Sequence, residues 1–265
     1  WDRAEVTSVY SVYMLSFGLG SLFAGITFDR FGPRFNYLLG TLFLATSYYI
    51  TGWLVNLWQY YLFIGVLGGF GAAMVGIIPT QSLISRWFNR RLASALSIAY
   101  AGQGLGTLIM APAVQFFITW VGWSMTYGFA GAGFFVILII ISLLPWKRIS
   151  EGAKHNPRRA KDGRSIGGPS LIEALKTSSF WGFSFIFATT GFAIFGVSLQ
   201  VVAYLVEQGF TNVEAAFIFG LVGMLTFPGM MITGLAADLW PRHIVATISY
   251  ALSLVGIGSL ALVQI

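Results

Sequence analysis

The sequence predicts an all-α membrane protein, and three observations carry that prediction. Only 9% of the 265 residues are Asp, Glu, Lys or Arg, against 57% apolar, and the mean hydropathy is +0.78. A soluble domain carries roughly a quarter charged residues to wet its surface. A soluble enzyme, a disordered tail and a nucleic-acid binder are therefore excluded, despite a pI of about 9.7. Second, the charges cluster: none falls between Phe35 and Ser85, between Leu92 and Trp146, or within 177–206, 215–237 and 244–265. Third, apolar runs such as Ile137-Leu-Ile-Ile-Ile141 lack the alternation of a barrel strand, whereas a helix needs about 20 apolar residues to cross a bilayer.

Eight spans follow, taken in order. Span 6–28 lies between the stub Trp1-Asp-Arg-Ala-Glu5 and Asp29-Arg30. Spans 35–55 and 58–85 share one uncharged gap, split where Asn, Gln and Trp gather at Trp53–Trp58. Spans 92–117 and 122–146 share the next gap, split at Phe117–Trp123; Trp and Tyr favour the membrane interface because their rings are amphipathic. Spans 180–206, 214–237 and 244–265 come after the charged loop 147–179 and are separated by Glu207 to Glu214 and by Asp238 to Arg242. In the loop, Gly167-Gly-Pro169 breaks the chain and Ser170-Leu-Ile-Glu173 has the form of a capping box.

Fourteen of the fifteen Lys and Arg fall in alternate loops: Arg30 and Arg34; Arg86, Arg90 and Arg91; eight in 147–179; and Arg242. The positive-inside rule places those loops in the cytoplasm. Lys147-Arg148 and Arg158-Arg159 suit anionic lipid, although a topology anchor and flexible linker needs no such partner. The absence of cysteine excludes disulfides, Fe–S clusters and thiolate zinc sites. His155 and His243 stand too far apart to suggest a metal, so no cofactor is expected.

Sliding the sequence on itself by 209 residues aligns Trp1 with Phe210, Glu5 with Glu214, Tyr10 with Phe219, Gly20 with Gly229, Gly25 with Gly234 and Asp29 with Asp238. Both copies run from an acidic cap through a helix to Gly-x-x-x-Asp in the same orientation. Such a parallel repeat suits two homologous halves related by an axis along the membrane normal. Five spans precede the long loop and three follow it, and the repeated helix is first in one half and second in the other. The expectation is a parent of twelve spans, of which these are the second to ninth. The halves are residues 1–146 and 180–265, with 147–179 between them.

The motif Gly25-Ile-Thr-Phe-Asp29-Arg30-Phe-Gly32-Pro-Arg34 resembles the loop motif that follows the second helix of the major facilitator superfamily. Several segments are similar to its monocarboxylate-porter and oxalate/formate-antiporter-like branch: Trp1-Asp-Arg-Ala-Glu5, Arg86-Trp-Phe-Asn-Arg-Arg91 leading into Ala101-Gly-Gln-Gly-Leu-Gly106, Gln200 to Gly209, and Phe227-Pro-Gly229 running into Gly234-Leu-Ala-Ala-Asp238. The chain departs from the branch at Met230, where members often carry Arg. Asp238-Leu-Trp-Pro-Arg242 also lacks the Arg after Asp and the Gly that follows. The resemblance implies a transporter and gives the loop residues Gly25, Asp29, Arg30, Gly32, Arg34, Gly234 and Asp238 the role of a gate that stabilises the outward-open state.

The residues themselves support part of this. A carboxylate at a helix end, as at Asp29, bonds nearby Arg groups or the N-terminus of a partner helix; the alternative is a loop of ordinary topology-setting charges. No Asp, Glu, His, Lys or Arg lies in any span interior. A membrane-embedded hydrolase is disfavoured because it would lack a general base or metal ligand there. Tyr100, Gln103 and Thr107 share a helix face, as do Gln200 and Tyr204, and Tyr10, Tyr13 and Phe17. Gln103, Tyr100, Gln200, Tyr204 and Tyr13 are candidates to line a substrate path; interhelical packing is the alternative. Gly65-x-x-x-Gly69 and Gly102-x-x-x-Gly106 are expected to let helices approach closely.

The function expected is secondary active transport of a small organic solute, a monocarboxylate foremost, by alternating access. A transport-inactive sensor or scaffold and a porter of a neutral solute are the alternatives. The expected partners are the small-molecule substrate, a co-transported proton and the lipid bilayer, with no nucleic acid. The protein is expected to be a monomer in the plasma membrane, or in the inner membrane of a bacterium.

Overall fold

The computed structural model describes residues 3–88, 91–151, 173 and 175–262. Trp1, Arg90, His155, Arg158-Arg159, Gly167-Gly-Pro169 and Ser170 lie outside them. Among the described residues there is no strand. The helices are α1 (Arg3–Thr51), α2 (Leu57–Ile84), α3 (Leu92–Leu143), α4 (Trp146–Glu151), α5 (Ser178–Glu207), α6 (Asn212–Leu239) and α7 (Arg242–Leu262).

With 49 and 52 residues, α1 and α3 are too long for one crossing; straight, each would exceed about 70 Å. Both leave helical geometry at a single glycine, Gly32 (φ 81°, ψ 171°) and Gly122 (φ 83°, ψ 163°). Only glycine adopts that backbone without steric cost. Each long helix is thus two arms, 3–31 with 33–51 and 92–121 with 123–143. The five long apolar helices α1, α2, α3, α5 and α6 therefore hold seven spans, and α7, at 21 residues, has the length of an eighth.

Most ends differ from expectation by a few residues, and two arms stop early. The arm 123–143 stops at Leu143 rather than 146 because Leu144, which precedes Pro145, is extended (ψ 147°). The arm 33–51 stops at Thr51 rather than 55. The Gln59 side chain then accepts the backbone N–H groups of Val55 (3.1 Å) and Asn56 (3.0 Å) and so fixes the entry to α2.

The chain divides into two compact units: Trp1–Ala99, Phe116–Lys154 and Met231–Ile265 form the first, and Tyr100–Gln115 and His155–Met230 the second. In the first, glycines set how closely helices meet. A Cβ added at Gly20 would lie 3.0 Å from the Phe70 Cα, and one at Gly40 3.0 Å from the Gly71 carbonyl oxygen. Both arms of α1 thus reach the same stretch of α2, so the chain doubles back at Gly32. Gly65 and Gly69 approach Val12 and the Tyr13 carbonyl as closely. Gly131 of arm 123–143 packs on the Tyr49 backbone, and the Ser124 hydroxyl donates to the Gly52 carbonyl.

Within the first unit, α2 is the least regular element. A π-helical stretch, Tyr61–Gly68, leads into Gly69–Val75; the helix breaks at Gly76 (φ −81°, ψ −151°) and resumes as Ile77–Ile84. Asn36, with 0% of its surface exposed, donates through Nδ2 to the Met74 carbonyl (2.7 Å) and accepts the Thr27 hydroxyl at Oδ1 (2.6 Å). Ser47 donates to the Phe63 carbonyl at 2.8 Å.

The first residues of the loop expected at 147–179 form α4, which is docked. Trp146 is buried with its ring 5.6 Å from that of Tyr37, and its indole N–H donates to the Ile141 carbonyl (2.7 Å). Trp87 and Arg86 donate to the carbonyls of Ile149 (2.9 Å) and Ser150 (3.3 Å).

In the second unit the close approach expected at Gly102 and Gly106 is made by Gly104 instead. A Cβ on Gly104 would meet the Gly223 carbonyl oxygen at 2.7 Å and the Phe227 nitrogen at 2.8 Å, while Gly102 and Gly106 meet nothing within 4 Å among the described residues. Two positions along a helix turn the direction by about 200°, so α6 packs on the opposite face. Gly104→Val is expected to cost about 1–3 kcal/mol of stability. Gly102→Ala and Gly106→Ala should stay within about 0.5 kcal/mol of the parent, as read by thermal unfolding of the purified protein in detergent.

Candidate functional site

The two copies of the loop motif sit in different surroundings. In the first copy, Asp29, Arg30 and Arg34 are exposed at the turn between the arms of α1, and Gly32 supplies the turn. The Arg30 guanidinium lies 5.4 Å from the centroid of the Phe31 ring. Gly25 has nothing within 4 Å of where a Cβ would stand. Arg86, at the end of α2, stacks over Phe28 at 5.1 Å. Arg30, Arg34, Lys147 and Arg148 are exposed.

In the second copy the carboxylate has an evident task. Asp238, just beyond the uncharged run 215–237, accepts the backbone N–H groups of Ala93 (3.3 Å) and Ser94 (2.9 Å) and the Ser94 hydroxyl (2.5 Å). These belong to the first turn of α3, where N–H groups have no partner within the helix and the helix dipole favours a negative charge. The hydrogen bond from the Ser94 side chain, followed by those from the Ser94 and Ala93 backbone and the nearby Arg242 charge, holds the Asp238 carboxyl below its ordinary range. One turn earlier, Gly234 lies directly on Ser97 and the Ala93 carbonyl, leaving no room for a side chain. Arg91, the residue before α3, has left-handed backbone (φ 64°, ψ 36°), which is uncommon for a residue other than glycine.

The candidate path residues fall in both units. Tyr13 lines a cavity of about 500 Å3 in the first unit together with Tyr10, Tyr48, Tyr60 and Tyr127. That volume lies within the usual range for small-molecule sites, and no charged residue is among its lining. The rings of Tyr10 and Tyr13 stack at 5.9 Å, as do those of Tyr48 and Tyr127. In the second unit Tyr100 is half-buried, Gln103 and Gln200 are exposed, and Tyr204 is 45% exposed. The Gln103 backbone carbonyl accepts the Thr107 hydroxyl at 3.1 Å. Among the described residues no group of three or more His, Cys, Asp or Glu has metal-binding geometry.

Sequence reasoning missed Tyr48, Tyr60 and Tyr127, which lie on three different spans and share no periodicity with Tyr13. It also missed Asn36 and Ser94, whose partners are 38 and 144 residues away. The available signal at α2 was Gly76 with Pro79, two helix breakers within one turn.

These features define a multi-pass, all-α membrane protein with a repeated Gly-x-x-x-Asp helix end. The profile of the Major Facilitator Superfamily matches residues 1–265, and the chain belongs to that superfamily. Monocarboxylate transporter 13 of Bos taurus is 25% identical over 256 residues, covering 96% of this chain and 57% of that protein. The uncharacterized MFS-type transporter YcxA of Bacillus subtilis (strain 168) is 24% identical over 238 residues, covering 90% and 57%. The probable transporter MCH2 of Saccharomyces cerevisiae is 28% identical over 237 residues, covering 86% and 47%. The chain therefore spans about half the length of these relatives.

Asp238→Ala is expected to destabilise the start of α3 by about 1 kcal/mol, the usual value of a lost N-cap acceptor. Because the carboxyl is held below its ordinary range, its contribution is complete above pH ~4, the unfolded value. It is lost as pH falls through the lower folded value. Thermal unfolding in detergent should therefore separate Asp238→Ala from the parent at pH 7, and the two curves should converge as the pH falls well below 4.

Proposed function

We propose that the protein is a secondary active transporter of a small organic solute, a monocarboxylate foremost, working by alternating access. Its two halves are residues 1–146 and 180–265, joined by the cytoplasmic loop 147–179, in the plasma membrane or a bacterial inner membrane. The observation that carries this reading is the Asp238 cap. In this proposed division the carboxylate falls in the second half and Ala93 and Ser94 in the first, although all three lie in the first compact unit. A contact of this kind can exist in one global state and be absent in the other. Asp29, Arg30 and Arg34 of the repeated motif would form the matching contact, with Gly25, Gly32 and Gly234 shaping the two helix ends.

Monocarboxylate as the substrate class rests on the names of the relatives. In this reading a co-transported proton supplies the driving force, the transporter acts as a monomer, and Tyr13, Tyr100, Gln103, Gln200 and Tyr204 line the path. A second reading, a porter of neutral solutes, is favoured by Met230 and by the uncharged lining of the tyrosine cavity. A carboxylate buried without a cation is costly.

The test is uptake of labelled small carboxylates by the full-length protein in liposomes, with and without an inward proton gradient. Gradient-driven uptake is the expected result. Counterflow without gradient dependence would replace symport by exchange or facilitated diffusion, and uptake of neutral solutes alone would favour the second reading. Asp29→Asn and Asp238→Asn should each slow uptake about tenfold or more while leaving membrane insertion intact. Normal rates in both variants would sink the gate.

A further inference from the structure

The break in α2 is held from both sides by two adjacent residues of the facing arm. In an unbroken helix the Met74 carbonyl takes its proton from residue 78 and the Val75 carbonyl from residue 79. Here Gly76 interrupts the ladder, and residue 79 is Pro, which has no N–H to give. Glycine is needed at the break, because a Cβ at Gly76 would lie 2.8 Å from the Ala72 carbonyl oxygen.

Upstream of the break, buried Asn36 donates to the Met74 carbonyl and is itself oriented by Thr27. Downstream, the Tyr37 hydroxyl lies 2.9 Å from the Thr80 hydroxyl, which donates to the Gly76 carbonyl at 2.8 Å. Tyr37 therefore donates to Thr80, and the chain of bonds ends on the hinge peptide. In hydrocarbon a backbone group that leaves its ladder must find a partner inside the protein. Asn36 supplies such a partner to the Met74 carbonyl, and the Thr80 hydroxyl, held by Tyr37, reinforces the 3.4 Å bond that the Thr80 N–H makes to the Gly76 carbonyl, so the two segments of α2 can be joined without exposing polar backbone.

We infer that Asn36 and Tyr37 are positioning residues for transport: they hold α2 as two segments hinged at Gly76, on which Ile77–Ile84 moves between global states. This inference rests on the transport reading for its purpose, but not for its geometry. The test uses the full-length protein with Asn36→Leu, Tyr37→Phe and Gly76→Ala, read by uptake kinetics in liposomes and by amide hydrogen exchange without substrate. Tyr37→Phe keeps the ring against Trp146 and removes only the hydroxyl, so folding should survive even if Asn36→Leu fails to fold.

Expected are a turnover lowered about tenfold for Asn36→Leu and several-fold for Tyr37→Phe, with half-saturation within about twofold of the parent. Exchange should quicken within 74–84 and not within 57–68. Gly76→Ala should slow turnover because its Cβ would crowd the Ala72 carbonyl oxygen and force the break to shift, and in that background Asn36→Leu should lose most of its effect on thermal stability. Parental turnover and exchange in Tyr37→Phe and Asn36→Leu would overturn the hinge, as would strictly additive stability effects of the Asn36 and Gly76 substitutions. Failure of the parent to take up any solute would defeat the transport reading, while the exchange and additivity measurements would still decide the geometry.

Discussion

Inside a bilayer no water is available to a peptide group that leaves its helix, and that constraint organises the chain. An unpaired N–H or C=O at membrane depth costs several kcal/mol, and at several places where a helix is irregular or ends, a polar group from elsewhere in the chain meets the backbone. The Met74 carbonyl has Asn36, the Phe63 carbonyl in the π stretch has Ser47, and the Gly52 carbonyl past the end of α1 has Ser124. At the basic end, the Ile141 carbonyl has the Trp146 indole, and the last carbonyls of α4 have Trp87 and Arg86. The same rule, applied to donors, explains Asp238 on the first N–H groups of α3. Among the described residues, buried Asn36 and Ser47 thus serve the backbone of a neighbouring helix.

Such pairing works only if helices come close enough for short side chains such as Ser and Asn to reach a neighbouring backbone. Lipid tails are as apolar as the side chains they would replace, so helix association depends on close packing. Gly20, Gly40 and Gly71 bring both arms of α1 onto α2, and it is at this level that Asn36 meets Met74. Gly234 does the same where α6 meets Ser97, one turn before Asp238 reaches Ser94. Glycine contact and polar staple are therefore one device.

This division explains what the sequence discloses. Spans are legible because charge is excluded from hydrocarbon: the gaps between Arg34 and Arg86 and between Arg91 and Lys147 each hold two crossings, and the turns fall at or beside Gly and Trp. Gly32 was already part of a recognisable motif. Which face a helix shows its neighbour was not legible, since Gly102, Gly104 and Gly106 are equally glycine and only the arrival of Gly223 of α6 selects the middle one. Asn36 stands alone in an apolar run, and its partner is a backbone carbonyl, which leaves no mark in the sequence. The repeat disclosed that Asp29 and Asp238 are equivalent, but not that the second would sit on α3, because a cap is formed by peptide N–H groups that every sequence has.

Under the proposed alternating access, the Asp238 contact would be of a size to switch. A carboxylate on a helix N-terminus contributes about 0.3–1 kcal/mol through the dipole, and an N-cap about 1 kcal/mol. Together these come to about 1–2 kcal/mol. A two-state equilibrium poised there can be moved by a solute whose affinity for the two states differs by only a few kcal/mol, whereas a fully buried ion pair, costing about 3–5 kcal/mol to break by loss of one partner, would lock one state. The interior carries no ionisable side chain that would form such a pair, and the charges that do bind across the helices stand at their ends, where water screens them. In the proposed cycle, weak polar contacts at the ends and close glycine packing in the middle would keep the helices associated while letting the contacts at their ends change.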